Sequence, residues 1–550
     1  MRAWYLAAAL LLGGCATEQA PVDMVLRNGA VYTMNPSQPK ATALAIDDGR
    51  IIAVGNDSSI ARHYKGRTDI DLHGQMVLPG FHDSHMHPVQ GGVGLALCEL
   101  SSARTIDAII ATVKACDTRL PAGDWLTGSG WDLSLFKDAN PGKALLDAVS
   151  VTRPIFLGGA DGHSSWANSK ALEVAGINRE TPDPPAGIIE RDDAGNPSGT
   201  LRESAQDLAR DLVPPTTPEA FADGLRRALA MANSFGITSI DEAWAGQNEL
   251  DAYRTLLNSG ELTARVVASV DNMNDAVDTL VRPADRGSAS RLHVDAVKIF
   301  VDGVLEGETA ALLEPYLDSP GFRGDLKMTP KDLAARVTEL DRRGIQVHMH
   351  AIGDRAVRAG LDAIEAATRA NGPSDNRHQI AHLQLVDAAD RPRFAELGVT
   401  ADFEALWAYP DQYITDVNLP QVGEDRVNAM YPIGSILRSG GRIVGGSDWP
   451  VSSMNPLDAI EVGVRRQDPG ETGTPVLNAG ERVSLDDMLA AYTINGAWLM
   501  HEDDITGSLQ PGKMADIVIL ARDLHDVAPE EINEVPVTMT LLEGKPVYRK

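Results

Sequence analysis

The hydrophobic pattern gives the chain two textures. Between residues 23 and 71 short apolar runs alternate with turn residues: Met24-Val25-Leu26, a turn at Asn28-Gly29, Val31-Tyr32-Thr33, then Ala43-Leu44-Ala45-Ile46. Asp47-Asp48-Gly49-Arg50 followed by the apolar run 51–55 is a hairpin signature, because Asp-Gly accepts the positive φ of a tight two-residue turn. The same texture returns at the far end, in residues 507–509, 515–520 and 538–542, with a turn at Glu543-Gly544-Lys545. Neither end has enough strands to stand alone, so the pattern predicts one small β-sandwich domain built from residues 23–75 and 505–550.

The long middle alternates strand and helix. Apolar runs at 76–81, 237–241, 264–270, 294–300, 345–350, 379–383, 399–404 and 443–448 read as eight buried strands, and helical stretches such as 218–235, 331–343 and 354–370 lie between several of them. Eight strands with helical crossovers predict an α/β fold, a (β/α)8 TIM barrel over residues 76–500, whose last helix is the Ala-rich stretch 485–500. The gap after the first strand, about 88–214, is too long for a loop and predicts an inserted subdomain.

Residues 1–15 follow another logic. Met1-Arg2, an apolar run over 3–12 and then Gly13-Gly14-Cys15 make a secretory signal, too short for a comfortable membrane span. Leu12-Gly13-Gly14-Cys15 also resembles the lipobox of bacterial lipoproteins, which implies a lipidated Cys15 as the mature N-terminus; ordinary signal cleavage is the alternative. The expected location is the cell envelope, at the periplasmic face of a membrane, with the lipid as the only attachment. Exported proteins hold disulfides. Bridging Cys98 and Cys116 would close a loop of ~18 residues, worth about 3 kcal/mol, the alternative being two buried thiols. Of the 550 residues 43% are hydrophobic and 23% charged, ordinary for a folded chain with a large core. The net charge of −28, from 49 basic and 77 acidic residues, argues against nucleic acid and anionic lipid surfaces as partners and leaves a small-molecule substrate.

The chemistry centres on His85-Met86-His87. In extended chain alternate side chains share a face, so both imidazoles reach one metal ion from the end of strand one. Barrel active sites lie at the C-terminal ends of the strands. There stand Lys298 on strand four, His348 and His350 on five, His382 on six and Asp448 on eight. Glu404 ends strand seven, as a substrate contact or an exposed rim carboxylate; His293 and His378 receive no role. Trp244, Trp407 and Trp449 follow strands two, seven and eight, and Trp131 and Trp166 lie in the insert; together they are candidates for an aromatic rim around an apolar substrate. Packing of insert against barrel explains any single one equally well.

Taken together these stretches resemble the amidohydrolase superfamily, and within it the branch of N-substituted formamide deformylase-like enzymes (amidohydrolase family 3). The resemblance is carried by residues 80–87, Val297-Lys298-Ile299-Phe300-Val301-Asp302-Gly303, His350-Ala351-Ile352-Gly353-Asp354-Arg355-Ala356, Gly446-Ser447-Asp448-Trp449-Pro450, the insert's 161–172 and the terminal 507–516. It implies a divalent metal, zinc by expectation, at one or two ions per chain. Burial favours the neutral amine of Lys298, which then reacts with carbon dioxide to a carbamate bridging both ions. The resemblance implies His85, His87 and Asp448 on one ion and His350 and His382 on the other, with His348 lying deeper and His163 touching substrate. A single ion with unmodified Lys298 is the alternative. The implied activity is hydrolysis of amide- or formamide-type carbon–nitrogen bonds other than peptide bonds, by metal-activated hydroxide attack on the carbonyl with Asp448 as the base. An esterase, lactonase or cyclic-amide hydrolase on the same centre is the alternative, and a non-catalytic envelope binding lipoprotein is the reading from another class.

Overall fold

The computed structural model describes residues 19–550 apart from 96, 101, 121–123, 161–163, 186, 274–276, 278–279, 281–289 and 318. The signal segment with Cys15, and His163, lie outside the described residues. The chain forms two compact units, one comprising the chain up to Met86 with Ala232–Trp244 and Thr263–Lys550, the other His87–Met231 with Ala245–Leu262.

The first unit contains an eight-stranded parallel barrel sheet. Its strands are β1 (Phe81–Met86), β2 (Ile237–Ala245), β3 (Arg265–Asp271), β4 (Leu292–Phe300), β5 (Gln346–Ala351), β6 (Gln379–His382), β7 (Thr400–Phe403) and β8 (Arg442–Gly445). They lie in sequence order, each beside its chain neighbours. Nearly every strand residue is buried, as expected of parallel strands covered on both faces. The two edge strands are tied at their C-terminal ends: the backbone N–H groups of Ser447 and Asp448 donate to the His85 carbonyl at 3.1 and 2.7 Å. Asp83 Oδ1 accepts from Ser447 N at 3.0 Å and clamps the same junction. Helices follow the strands where the sequence offers caps. Thr329 accepts from Asp332 N and Pro330 takes the first turn of Pro330–Arg342, while Asp354–Asn371 buries a stripe of Val357, Leu361 and Ile364.

Two further sheets in this unit come from the chain ends, the first from the N-terminal end alone and the second from both. Arg50–Gly55, Ala43–Asp47, Ala20–Arg27 and Tyr64–Asp71 form one; Lys545–Arg549, Val537–Leu542, Ile517–Leu520, Met76–Pro79, Ala30–Tyr32 and Lys40–Ala41 form the other. Leu26, Leu44 and Ile46 of the first share one apolar core with Val77, Ile517 and Leu541 of the second. The Asp47–Arg50 turn has φ of 47° at Asp48 and 73° at Gly49, as its sequence requires.

The apolar run 76–81, expected as barrel strand one, serves two sheets instead. Met76–Pro79 pairs with Ile517–Leu520, and only Phe81–Met86 enters the barrel. The change of partner falls at Gly80: its N–H donates to the Asp516 carbonyl, whereas Phe81 N donates to the Gly236 carbonyl. The chain passes so close to β2 there that a Cβ on Gly80 would meet Thr238 Oγ1 at 2.1 Å.

The second unit carries a six-stranded sheet ordered Gly187–Arg191, Pro197–Glu203, Ser164–Ala167, Ile155–Gly159, Leu126–Trp131 and Cys98–Glu99. A disulfide joins Cys98 on its edge strand to Cys116 of the helix Ile106–Arg119. Trp131 and Trp166 are fully buried in the core of this unit, edge to face at 6.0 Å. Their indole N–H groups donate to the Leu157 and Gly142 carbonyls. The expectation of a substrate contact fails for both, because each ring is spent on packing the inserted sheet.

Candidate metal centre

The polar side chains at the ends of the barrel strands converge on one imidazole. His85 Nε2 lies 3.0 Å from Lys298 Nζ on β4 and 3.7 Å from Asp448 Oδ1 beyond β8. Its Nδ1 lies 2.9 Å from His348 Nε2 on β5, 3.7 Å from Glu404 Oε1 and 3.9 Å from Asp402 Oδ2 at the end of β7. His348 Nδ1 continues inward to Ser269 Oγ at 3.2 Å and Asp241 Oδ2 at 3.5 Å, and Gln379 donates to that same aspartate oxygen at 2.9 Å. His382 Nδ1 sits 2.9 Å from Glu404 Oε2, with its ring 4.4 Å from His350 and 4.7 Å from His85. His350 turns its Nε2 to the Gly303 carbonyl at 2.9 Å.

The backbone is held in unusual conformations to present these groups. His382, Leu383 and Asp448 have φ of 77°, 50° and 50°, a region that residues other than glycine rarely occupy unless their surroundings enforce it. Here Leu383 N donates to the Ala351 carbonyl and Asp448 N to the His85 carbonyl, and both bonds fix the turn after a strand.

Among the described residues, three sets of side chains bring one potential ligand atom each to within 4.8 Å of one another: His85, His87 and Asp448; His85, His382 and Glu404; His85, His348 and Asp402. The first matches an ion site expected from the sequence. His350 stands next to these sets but belongs to none of them among the described residues, and Lys298 Nζ adjoins all three through His85. Glu404 is not an exposed rim carboxylate. It is fully buried and bonded to His382. Asp402 is buried beside it, one pleat back on the same face, and the sequence around it carries no signal that marks it as a ligand. The spacing Asp402-Phe403-Glu404 repeats the logic of His85-Met86-His87.

The electrostatics fit a divalent cation. Asp241, Asp402, Glu404 and Asp448 are all buried here and act on Lys298, and Asp83 is buried nearby on the backbone of His85 and Ser447. Burial, reinforced by Glu404, Asp241 and Asp83, pushes the Asp402 carboxyl well above its ordinary range, and neither of its oxygens has a hydrogen-bond partner among the described residues. Burial raises Asp83 to about 7 and lowers Lys298 to about 8, the latter against the upward pull of Asp448, Glu404, Asp241 and Asp402. His350 is held well below the usual imidazole value, by burial first and then by His382 and Lys298. Imidazoles and carboxylates at this spacing are the donor set of zinc-like ions, and an added 2+ charge would offset the crowded carboxylates.

A cavity of about 620 Å³ opens on this cluster and is lined by His350, His382, Asp448, Trp407, Tyr409 and Tyr431, among others. Trp407 stacks on His382 with centroids 5.6 Å apart and planes 3° from parallel. The two other tryptophans expected at the barrel rim are placed differently. Trp244 meets Phe300 edge on, and Trp449 is buried at the end of β8 with its backbone N–H donating to Ser447 Oγ; neither lines this cavity.

Comparison with known proteins gives a consistent answer. A model of the amidohydrolase family matches residues 69–548. Protein LONG AFTER FAR-RED 3 of Arabidopsis thaliana is 31% identical over 96% of this chain and 91% of its own length. The N-substituted formamide deformylase of Arthrobacter pascens is 28% identical over 96% of this chain and 98% of its own. Among solved structures, an uncharacterized metal-dependent hydrolase from Pyrococcus furiosus superposes with a TM-score of 0.73 at 28% identity, covering 91% of this chain and 99% of that one.

Proposed function

The chain belongs to the amidohydrolase family, and from that premise we propose that it hydrolyses amide- or formamide-type carbon–nitrogen bonds of a small molecule with a zinc-like ion in the His85-centred cluster. The observation that carries this reading is the meeting of polar side chains from the ends of six barrel strands, β1 and β4 to β8, at one buried point that faces a cavity. His85, His87 and Asp448 would hold one ion; the imidazoles of His350 and His382 and the carboxylates of Asp402 and Glu404 are the donors available for a second. When bound, such an ion polarises a carbonyl and makes water a better nucleophile.

The chain's own residues do the rest. Asp448 both adjoins His85 and lines the cavity, so its carboxylate takes the proton of the attacking water and returns it to the departing nitrogen. Lys298 is proposed to carry a carbamate: its neutral Nζ attacks carbon dioxide, forms the N–C bond and releases a proton. His348, bonded between His85 and the Ser269–Asp241 pair, fixes the orientation of the His85 ring. Trp407 packs the substrate beside His382.

Elemental analysis of protein purified without chelator, combined with amide and formamide hydrolysis assays, tests the reading. One or two zinc-like ions per chain and turnover abolished by Asp448→Asn are expected. A folded protein that neither retains nor takes up metal would overturn it. Export and lipid attachment at Cys15 belong to the same proposal, supported by the sequence of residues 1–15. Palmitate labelling that persists in a Cys15→Ser variant would exclude the anchor.

A further inference from the structure

The cavity facing the cluster has a one-sided charge. Its walls include Glu306, Asp411 and Asp458 in addition to Asp448, and none of the described residues lining it is lysine or arginine. Glu306 lies in the segment after β4 and Asp411 in the segment after β7, farther along the chain from the strand ends than the cluster itself. Four aromatic residues share the wall with aliphatic and neutral polar side chains: Trp407, Tyr409, Tyr413 and Tyr431.

Both outer carboxylates are positioned by neutral donors rather than by a cation. Gln384 Nε2 donates to Asn418 Oδ1 at 2.9 Å, and Asn418 Nδ2 donates in turn to Glu306 Oε1 at 3.1 Å. Gln384 and Asn418 are buried, so this relay is part of the wall and sets the Glu306 carboxylate at its surface. Asp411 Oδ1 accepts from Ile414 N at 2.9 Å, which leaves its charge uncompensated. Burial raises Asp411 above the ordinary carboxyl value, and Glu306 adds to the rise, a repulsion that a bound positive charge would relieve. Aromatic faces beside carboxylates are the usual setting for alkylammonium groups, which gain from the ring quadrupole and the anionic charge together.

We propose that this cavity selects substrates bearing a cationic group, a primary or quaternary ammonium remote from the scissile carbonyl, seated between Glu306 and Asp411 and against the Trp407 and Tyr409 rings. The substrate then lies with its carbonyl at the cluster and its positive end toward the two carboxylates. An anionic substituent at that end is rejected. The inference deepens the hydrolase reading and rests on the same cavity, but its test does not require turnover.

Binding of benzyltrimethylammonium, of neutral benzyl tert-butyl ether and of benzenesulfonate is measured by calorimetry on the protein as purified, at ~0.15 M salt, where the field of the distant −28 charge is screened within about 8 Å. The cation is expected to bind at least tenfold tighter than the neutral ether, with the sulfonate weakest. Glu306→Gln combined with Asp411→Asn is expected to remove most of that tenfold preference while leaving ether binding and the melting temperature in place. Equal affinities for cation and ether, or a preference that survives the double substitution, would overturn the proposal. Cation binding that is intact and lost in the double variant supports it even where no amide is cleaved; that outcome counts against the hydrolase reading alone.

Discussion

Lys298 offers the sharpest test of the proposed centre. Its amine is fully buried and lowered from 10.5 to about 8, first by burial, with four neighbouring carboxylates limiting the fall. At pH 7 roughly one amine in ten is therefore neutral, against about one in 3,000 for an unperturbed lysine, a ~300-fold gain equivalent to about 3 kcal/mol. Only the neutral form attacks carbon dioxide. The metal-free protein is the state in which that pKa governs, so the measurement is reconstitution: stripped protein is given zinc at fixed dissolved carbon dioxide, and bound metal is followed with time. The neutral fraction is about one half at pH 8 and about one hundredth at pH 6, so the part of the rate that depends on carbon dioxide is expected to fall ~50-fold between them. Lys298→Arg keeps a positive charge that does not dissociate, so it is expected to bind less metal per chain and to show no response to carbon dioxide. Wild-type reconstitution that ignores carbon dioxide, or full metal content in Lys298→Arg, would refute the carbamate and leave Lys298 as a charge partner of the carboxylates.

Three further outcomes follow from single contacts. Trp407→Ala removes the ring stacked on His382 and is expected to lower kcat/KM on aromatic amides about tenfold with little change in melting temperature, which steady-state kinetics and calorimetry separate. Asp302 is buried, accepts from the N–H groups of Ile352, Gly353 and Ala311, and is nevertheless raised from 3.8 to about 7 by that burial. Because the folded state holds this proton more tightly, its contribution is complete below pH ~4 and is lost as pH rises through 7, about 4 kcal/mol in all. Urea midpoints of the metal-free protein across that range should show this loss, and Asp302→Asn should flatten it. Arg265, fully buried at the start of β3, donates to Asp516 at 2.7 Å and to Glu543 at 3.0 Å, tying the barrel to the strands from the chain's end. Arg265→Met leaves Asp516 buried without its partner and is expected to cost roughly 3–5 kcal/mol in urea unfolding, part of which Asp516→Asn in the same chain restores.

The parts of this molecule that the sequence makes legible are those whose meaning is local. Seven of the eight barrel strands announce themselves as apolar runs because a parallel strand covered on both faces must be apolar along its length. The exception is instructive. The run 76–81 is apolar for two reasons at once, its first half buried between Ile517–Leu520 and Ala30–Tyr32 and its last residue in the barrel, and burial alone does not say which partner supplies it. Only the hydrogen bonds on either side of Gly80 divide it. Trp131 and Trp166 pose the same difficulty in another form. A large ring in an insert is equally suited to a core or a rim, and the choice is made by Phe136 and the two carbonyls that meet those rings. The metal cluster divides along the same line. His85-Met86-His87 is readable because two imidazoles on one pleat are already half a ligand set. Asp402-Phe403-Glu404 repeats that spacing but carries no such signal, because a carboxylate at a strand end belongs by default to solvent. What buries this pair is the arrival of His382 from the preceding strand β6 and of His85 from β1, which lies far away in the sequence.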